Sequence, residues 1–164
     1  MSPNRSRKHL VVLPEDKANQ EIVNGFFLHP SLRRNVFQVL SPAGGWTAVL
    51  KKFEDSHLPK LRKYKEMRSL LLVDFDRNEQ RLDHIKRQIP DDVTKRVFVL
   101  GVWSEPEDLK SSLDKRQSLE DLGRVLSNEC AEDSSNLWSH ELLNNNADEV
   151  QRLLTDVKPF LFKR

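Results

Sequence analysis

The sequence predicts an α/β domain: a doubly wound, mainly parallel four-stranded sheet with additional helices at the C-terminal end. Three observations carry that expectation. The runs His9-Leu10-Val11-Val12-Leu13, Leu70-Leu71-Leu72-Val73 and Val97-Phe98-Val99-Leu100-Gly101-Val102-Trp103 are apolar without polar alternation, as in strands covered on both faces. Between them lie segments whose apolar residues recur at helical spacing. The resulting order, β-α-β-α-β-α-β and then helices, yields a parallel sheet under the right-handed crossover rule.

The first strand covers His9 to Leu13 and ends in Pro14-Glu15-Asp16. Ala18, Ile22, Val23, Phe26 and Phe27 then mark an amphipathic helix that stops by Leu28, before His29-Pro30. Asn35 to Leu40 reads as the second strand, punctuated by Ser41-Pro42-Ala43-Gly44-Gly45. The two glycines make a turn or let backbone approach something closely. Trp46, Val49, Leu50 and Phe53 form a helical stripe that Pro59 is expected to break. A second basic helical stretch, Lys60 to Met67, leads into the third strand, Leu70 to Val73, expected at the centre of the sheet. Leu82, Ile85 and Ile89 give a helix closed by Pro90, and Val97 to Trp103 a further central strand. Three helices follow. Leu119, Leu122, Val125 and Leu126 carry one, with Ser118 as N-cap; Leu137, Trp138, Leu142 and Leu143 another; Val150, Leu153, Leu154 and Val157 a third, after the break at Asn144-Asn145-Asn146. Pro159 to Phe162 adds an edge strand or tucks under the helices.

Composition bounds the class. With 164 residues, 37% apolar and 32% charged, the chain suits one compact domain. It divides into a basic flexible leader (1–8), an α/β core (9–110) and a C-terminal helical extension packed on the core (111–164). No apolar run approaches membrane-spanning length, the leader is too short on apolar residues for a signal peptide, and Cys130 is the single cysteine, so a cytoplasmic protein without a membrane partner is expected. The net charge of +2 is unevenly spread: residues 51–68 hold seven basic residues against three acidic ones, and 105–133 hold nine acids against four bases. Lys51, Lys52, Lys60, Arg62 and Lys63 are candidates to track a phosphate backbone; a solvated helix face is the plainer explanation.

The candidate chemistry sits where strands end. In extended geometry Asp74 and Asp76 leave the same face, roughly 6–7 Å apart at the backbone. Such acids also serve strand-to-helix turns and caps. In a doubly wound sheet, however, the carboxyl ends of the strands lie together at the ligand-binding edge. Three of the four proposed strands end there in acids: Glu15 and Asp16, Asp74 and Asp76, Glu105 and Glu107; the fourth ends in Gly44-Gly45. Carboxylates converging this way need a cation, and an oxygen-only donor set points to Mg²⁺ or Mn²⁺. The five histidines, His9, His29, His57, His84 and His140, are too scattered to suggest zinc.

These residues resemble the Toprim domains of topoisomerases, primases and the overcoming-lysogenization-defect nucleases, the nuclease branch most closely. That pattern has a glutamate after the first strand, a glycine after the second, Asp-x-Asp after the third and, in the nucleases, a glutamate after the fourth. Glu15, Gly44 and Gly45, Asp74 and Asp76, and Glu107 match it, with Glu105 competing for the last place; the likeness spans about Leu10 to Leu109. Asp16 stands where a glycine is usual, Asn19 where the nucleases tend to have an aspartate, and the nuclease lysine has no clear counterpart. The resemblance implies a nuclease-type, Mg²⁺- or Mn²⁺-dependent phosphoryl transfer on nucleic acid, DNA before RNA. Asp74 and Asp76 would hold the ion, Glu15 would complete the site or act as general base, and Glu107 would help hold a second ion. The fused ATPase domain usual in such nucleases is missing, so the resemblance implies a separate ATPase partner.

Two other classes compete. A phosphoacceptor receiver domain would use Glu15-Asp16, Asp74, Ser104 and Lys158-Pro159, although 54 positions separate Ser104 from Lys158 and Asp76 has no role in it. A non-catalytic interaction module would use the acids only as caps.

Overall fold

In a computed structural model that describes residues 3–113 and 116–163, the chain forms a four-stranded, all-parallel sheet with helices on both faces, a doubly wound α/β fold. The strands are β1 (His9–Pro14), β2 (Phe37–Val39), β3 (Met67–Leu72) and β4 (Val97–Leu100), ordered β2-β1-β3-β4. Pairing is in register from Leu10 with Phe37, His9 with Met67 and Ser69 with Val97.

The unbroken apolar runs follow from this architecture, because alternate residues of one strand serve different layers. Val11, Leu13, Leu71, Val97 and Val99 pack on one face with Val49, Phe53, Leu61 and Ile85. Leu10, Val12, Leu70, Phe98 and Leu100 face the other way, toward Val23, Phe27, Val157 and Leu161. The first layer holds α2 (Trp46–Lys52), α3 (Leu58–Lys63) and α4 (Glu79–Arg87); the second holds α1 (Lys17–Phe26) and the C-terminal elements.

Several sequence expectations are corrected. Pro59 does not break its helix. A π-turn, Phe53–His57, joins α2 to α3, with the Leu58 amide bonded to the Phe53 carbonyl, and the wider turn seats Pro59 in the first turn of α3, where its missing N–H costs nothing. The basic helix ends at Lys63; Tyr64 is extended, and Met67 already belongs to β3. The fourth strand lies at the edge of the sheet rather than in its centre. It reads as a central strand because its open side is covered. Asn146 accepts the Gly101 amide at 3.0 Å and donates to the Gly101 carbonyl at 2.9 Å, Glu149 accepts the Val99 amide at 2.9 Å, and Arg152 donates to the Val97 carbonyl at 3.3 Å. Side chains of one helical segment thus take the place of a fifth strand.

The C-terminal region holds α5 (Pro106–Ser112), α6 (Leu119–Glu132), α7 (Ala147–Asp156) and α8 (Lys158–Leu161). Ser118 caps α6 in a capping box with Asp121. The helix expected around Leu137 to Leu143 is a series of turns. The buried Glu129 carboxylate accepts the Leu137 and Trp138 amides and so satisfies backbone that a helix would otherwise have had to pair. Asn144–Asn146 is a 3₁₀ turn leading into α7, not a break. Residues 159–161 are helical, and only Phe162 adds a bridge, antiparallel to Leu32. The leader is held where the structure describes it: Arg5 lies over the Tyr64 ring and donates to its hydroxyl at 3.0 Å. No helix among the described residues is long and apolar enough to cross a membrane.

Candidate functional site

Parallel strands deliver their carboxyl ends to one rim, and the loops after β1, β3 and β4 meet there. The Asp74 amide donates to the Glu15 carboxylate at 2.6 Å, joining the ends of β1 and β3. Beyond Leu72 the chain follows β4 through Val73 and Phe75, bonded to Leu100 and Val102, and the Asp76 amide donates to the Ser104 carbonyl at 3.2 Å. Glu15 and Asp74 are buried, with 9% and 8% of their surfaces exposed.

Asp74 and Asp76 do not share a face as extended geometry predicts. Asp76 and Arg77 adopt left-handed backbone, φ 49° and 56°, which ends the strand and swings the Asp76 side chain into solvent, 58% exposed. Gly44 and Gly45, at φ 99° and 133°, make the turn before α2, and both amides donate to the Glu15 carbonyl, at 2.9 and 3.2 Å. An added Cβ would meet nothing within 4 Å at either glycine, and their positive φ is what favours glycine at both positions.

Two residues that the sequence did not single out as site residues organise the acids. The Asn19 side-chain amide donates to both Asp16 and Asp74, at 2.8 Å each. Arg81 donates through Nη1 to the Asp74 carbonyl and the Asp76 carboxylate, also at 2.8 Å, and its guanidinium lies 4.8 Å from the centre of the Trp46 ring. Both are the third residue of their helices, α1 and α4. Helical side chains lean toward the N-terminus, so a long polar group in the first turn reaches back over the preceding strand end. That position is the signal by which both were findable.

Burial pushes the Asp74 carboxyl up to about 7; the Asn19 bond opposes this, and Glu15, Asp16 and Asp76 add to it. Glu15 is also raised, first by burial, against the opposing Asp74 amide. Glu105 begins α5 without capping it through its side chain, and its carboxyl is raised by burial, by Glu107 and Asp108, and by Asp76 and Asp16 across the rim. Glu107 is exposed in the first turn of α5. Within this neighbourhood Asn19 Oδ1, Ser104 Oγ and Arg81 Nε are buried without a hydrogen-bond partner.

The acids gather, but not as a cage. Among the described residues no three His, Cys, Asp or Glu side chains are grouped as metal ligands. Convergence was expected to require a cation; instead Glu15 binds an amide, Asp74 binds Asn19 and Asp76 binds Arg81. The candidate phosphate-tracking residues lie along α2 and α3, which carry the chain from this rim to the amino end of β3. Lys51 and Lys52 close α2, and Lys60, Arg62 and Lys63 belong to α3. Arg62 is paired bidentately with Asp92 at 3.0 and 3.1 Å, and Lys63 lies over the Tyr64 ring. Among the described residues the receiver pattern has no fifth strand: Lys158 begins α8 and pairs with Asp133 at 2.7 Å. Comparison with known proteins found no matching family model, no matching curated protein and no matching solved structure.

Proposed function

We propose that the chain is a Toprim-type module for divalent-cation-dependent phosphoryl transfer on nucleic acid, of the nuclease kind and working with a separate ATPase partner. The observation that carries the reading is the buried junction of Glu15 with Asp74 at the carboxyl rim of a parallel sheet, flanked by Asp16, Asp76 and Glu105. The donors are all hard oxygens, which suits Mg²⁺ or Mn²⁺, and burial, with Glu15, Asp16 and Asp76 nearby, disfavours the charged form of Asp74 in the absence of a cation. Asp74 and Asp76 would hold the ion, with Glu105 or Glu107 in reach of a second place at the start of α5. Bound there, the ion supplies Lewis-acid stabilisation of phosphate oxygens.

The protein groups around it have separable tasks. Asn19 fixes the orientation of the Asp74 carboxylate, and the left-handed turn at Asp76 aims its side chain outward. Glu15, buried and with its carboxyl raised by that burial, would accept the proton in this reading. Incubation of supercoiled and single-stranded DNA with the protein and Mn²⁺ tests the reading. Cleavage by the wild type and its loss in Asp74→Asn are expected; no cleavage of either DNA with Mn²⁺ or Mg²⁺ contradicts it. One observation favours a non-catalytic interaction module instead, the pairing of Asp76 with Arg81, which already neutralises part of the rim.

A further inference from the structure

Between the sheet and the C-terminal helices lies a cavity of about 100 Å³, over Leu70 and Leu100 and bounded by Val23 of α1, Leu126 of α6 and Leu153 of α7. Interiors of small domains are close-packed, with few voids larger than a water molecule, so a cavity of this size in a core layer is a departure from ordinary packing. Leu72 lines the same space and is only half-buried, although it belongs to the inner strand β3.

The lining is apolar or already paired, with one exception. Asn146 bonds Gly101 and Leu143, Lys158 pairs with Asp133, and the Trp138 indole donates to the Leu126 carbonyl. Asn19, 1% exposed, also lines the cavity. Its Nδ2 donates to Asp16 and Asp74, which leaves Oδ1, on the other branch of the amide, buried without a hydrogen-bond partner. A buried water is held by about two to four polar partners, whereas an apolar cavity of about 150 Å³ takes up benzene. One unpaired acceptor in apolar surroundings matches the second kind of occupant, provided that it carries a single donor. We infer that this cavity is a binding site for a small neutral molecule, about the size of a five-membered aromatic ring, with an apolar body and one N–H or hydroxyl that donates to Asn19 Oδ1. The inference needs no ion at the rim and stands apart from the cation reading. Because Asn19 also holds Asp74, the cavity and the rim share a side chain.

The test is titration of the full chain with pyrrole and with furan, a ring of the same size without the N–H, followed in methyl ¹H–¹³C spectra. Saturable shifts at Leu126 and Leu153 are expected with both rings, while Val49 and Leu61, on the opposite face of the sheet, stay in place. In Asn19→Leu, which keeps the size of the side chain and removes the acceptor, the ratio of pyrrole to furan affinity should fall about tenfold. Asn19→Ala reads the same ratio if the leucine variant does not fold. No saturable shift with either ring in the wild type, or equal shifts on both faces of the sheet, overturns the site. An unchanged ratio in the Asn19 variant overturns the donor requirement and the role given to Asn19.

Discussion

The carboxylate of Glu15 receives the backbone amide of Asp74 across 59 positions of sequence, at 2.6 Å. This bond ties the ends of β1 and β3 together and holds a second carboxyl group beside Asp74 in a poorly solvated place. The pair is therefore an electrostatic unit, and its cost is readable in solution.

Asp74 carries a carboxyl raised from 3.8 to about 7, so the folded chain keeps a proton that the unfolded chain has lost. Unfolded molecules bind fewer protons between these values, and stability falls as pH rises from about 4 to about 7, then levels off. The drop attributable to this group is about 2–4 kcal/mol at most. Urea unfolding in chelator should show it in the wild type and show a flatter profile in Asp74→Asn, whose amide can still accept from Asn19.

His57 acts with the opposite sign. Burial, then Lys60 and Lys52, lower its pKa from 6.5 to about 4, and its ring bonds Ser69 Oγ at 3.1 Å. Here the unfolded chain binds more protons, so stability falls as pH drops from about 6.5 to about 4, by up to about 3 kcal/mol. His57→Gln should flatten this acid limb in the same unfolding series while leaving the limb due to Asp74.

The crossing of α1 and α6 is set by two glycines. A Cβ on Gly25 would lie 1.9 Å from the Glu120 carbonyl oxygen, and one on Gly123 would lie 1.9 Å from that of Ile22. In an unpacked helix, glycine to alanine gains about 1 kcal/mol. Here Gly25→Ala and Gly123→Ala should each lose about 2 kcal/mol or more, because the helices must separate. Midpoints of thermal or urea unfolding check the reversed sign.

Edge capping of β4 ties the C-terminal segment to the sheet by side-chain hydrogen bonds as well as by apolar packing. Glu149→Ala leaves the Val99 amide buried without an acceptor and should cost about 1–3 kcal/mol. Faster hydrogen exchange confined at first to Val99 and its neighbours on β4 is the accompanying signature.

The strands and the parallel sheet were legible because a strand buried on both faces leaves an uninterrupted apolar run, as in Leu10 to Leu13 and Leu70 to Val73. Edge position was not legible for Val97 to Leu100, since polar side chains from a distant helix cover its open side. Pro59 misled because a π-turn is invisible to a rule based on helical periodicity. At the rim, Glu15 and Asp74 were found from strand ends alone. The separation of Asp74 from Asp76 was not, because it depends on left-handed backbone at a non-glycine residue. Asn19 and Arg81 were accessible only by asking which first-turn side chains lean back over a strand end.

The proposal that a divalent cation binds this rim through Asp74 and Asp76 has a direct test. Crystals of the wild-type chain soaked in Mn²⁺ and measured at the manganese absorption edge test it directly. An anomalous peak within about 2.5 Å of oxygens from both carboxylates is the predicted result. A saturated soak with no peak at the rim, or with manganese only elsewhere on the surface, contradicts it.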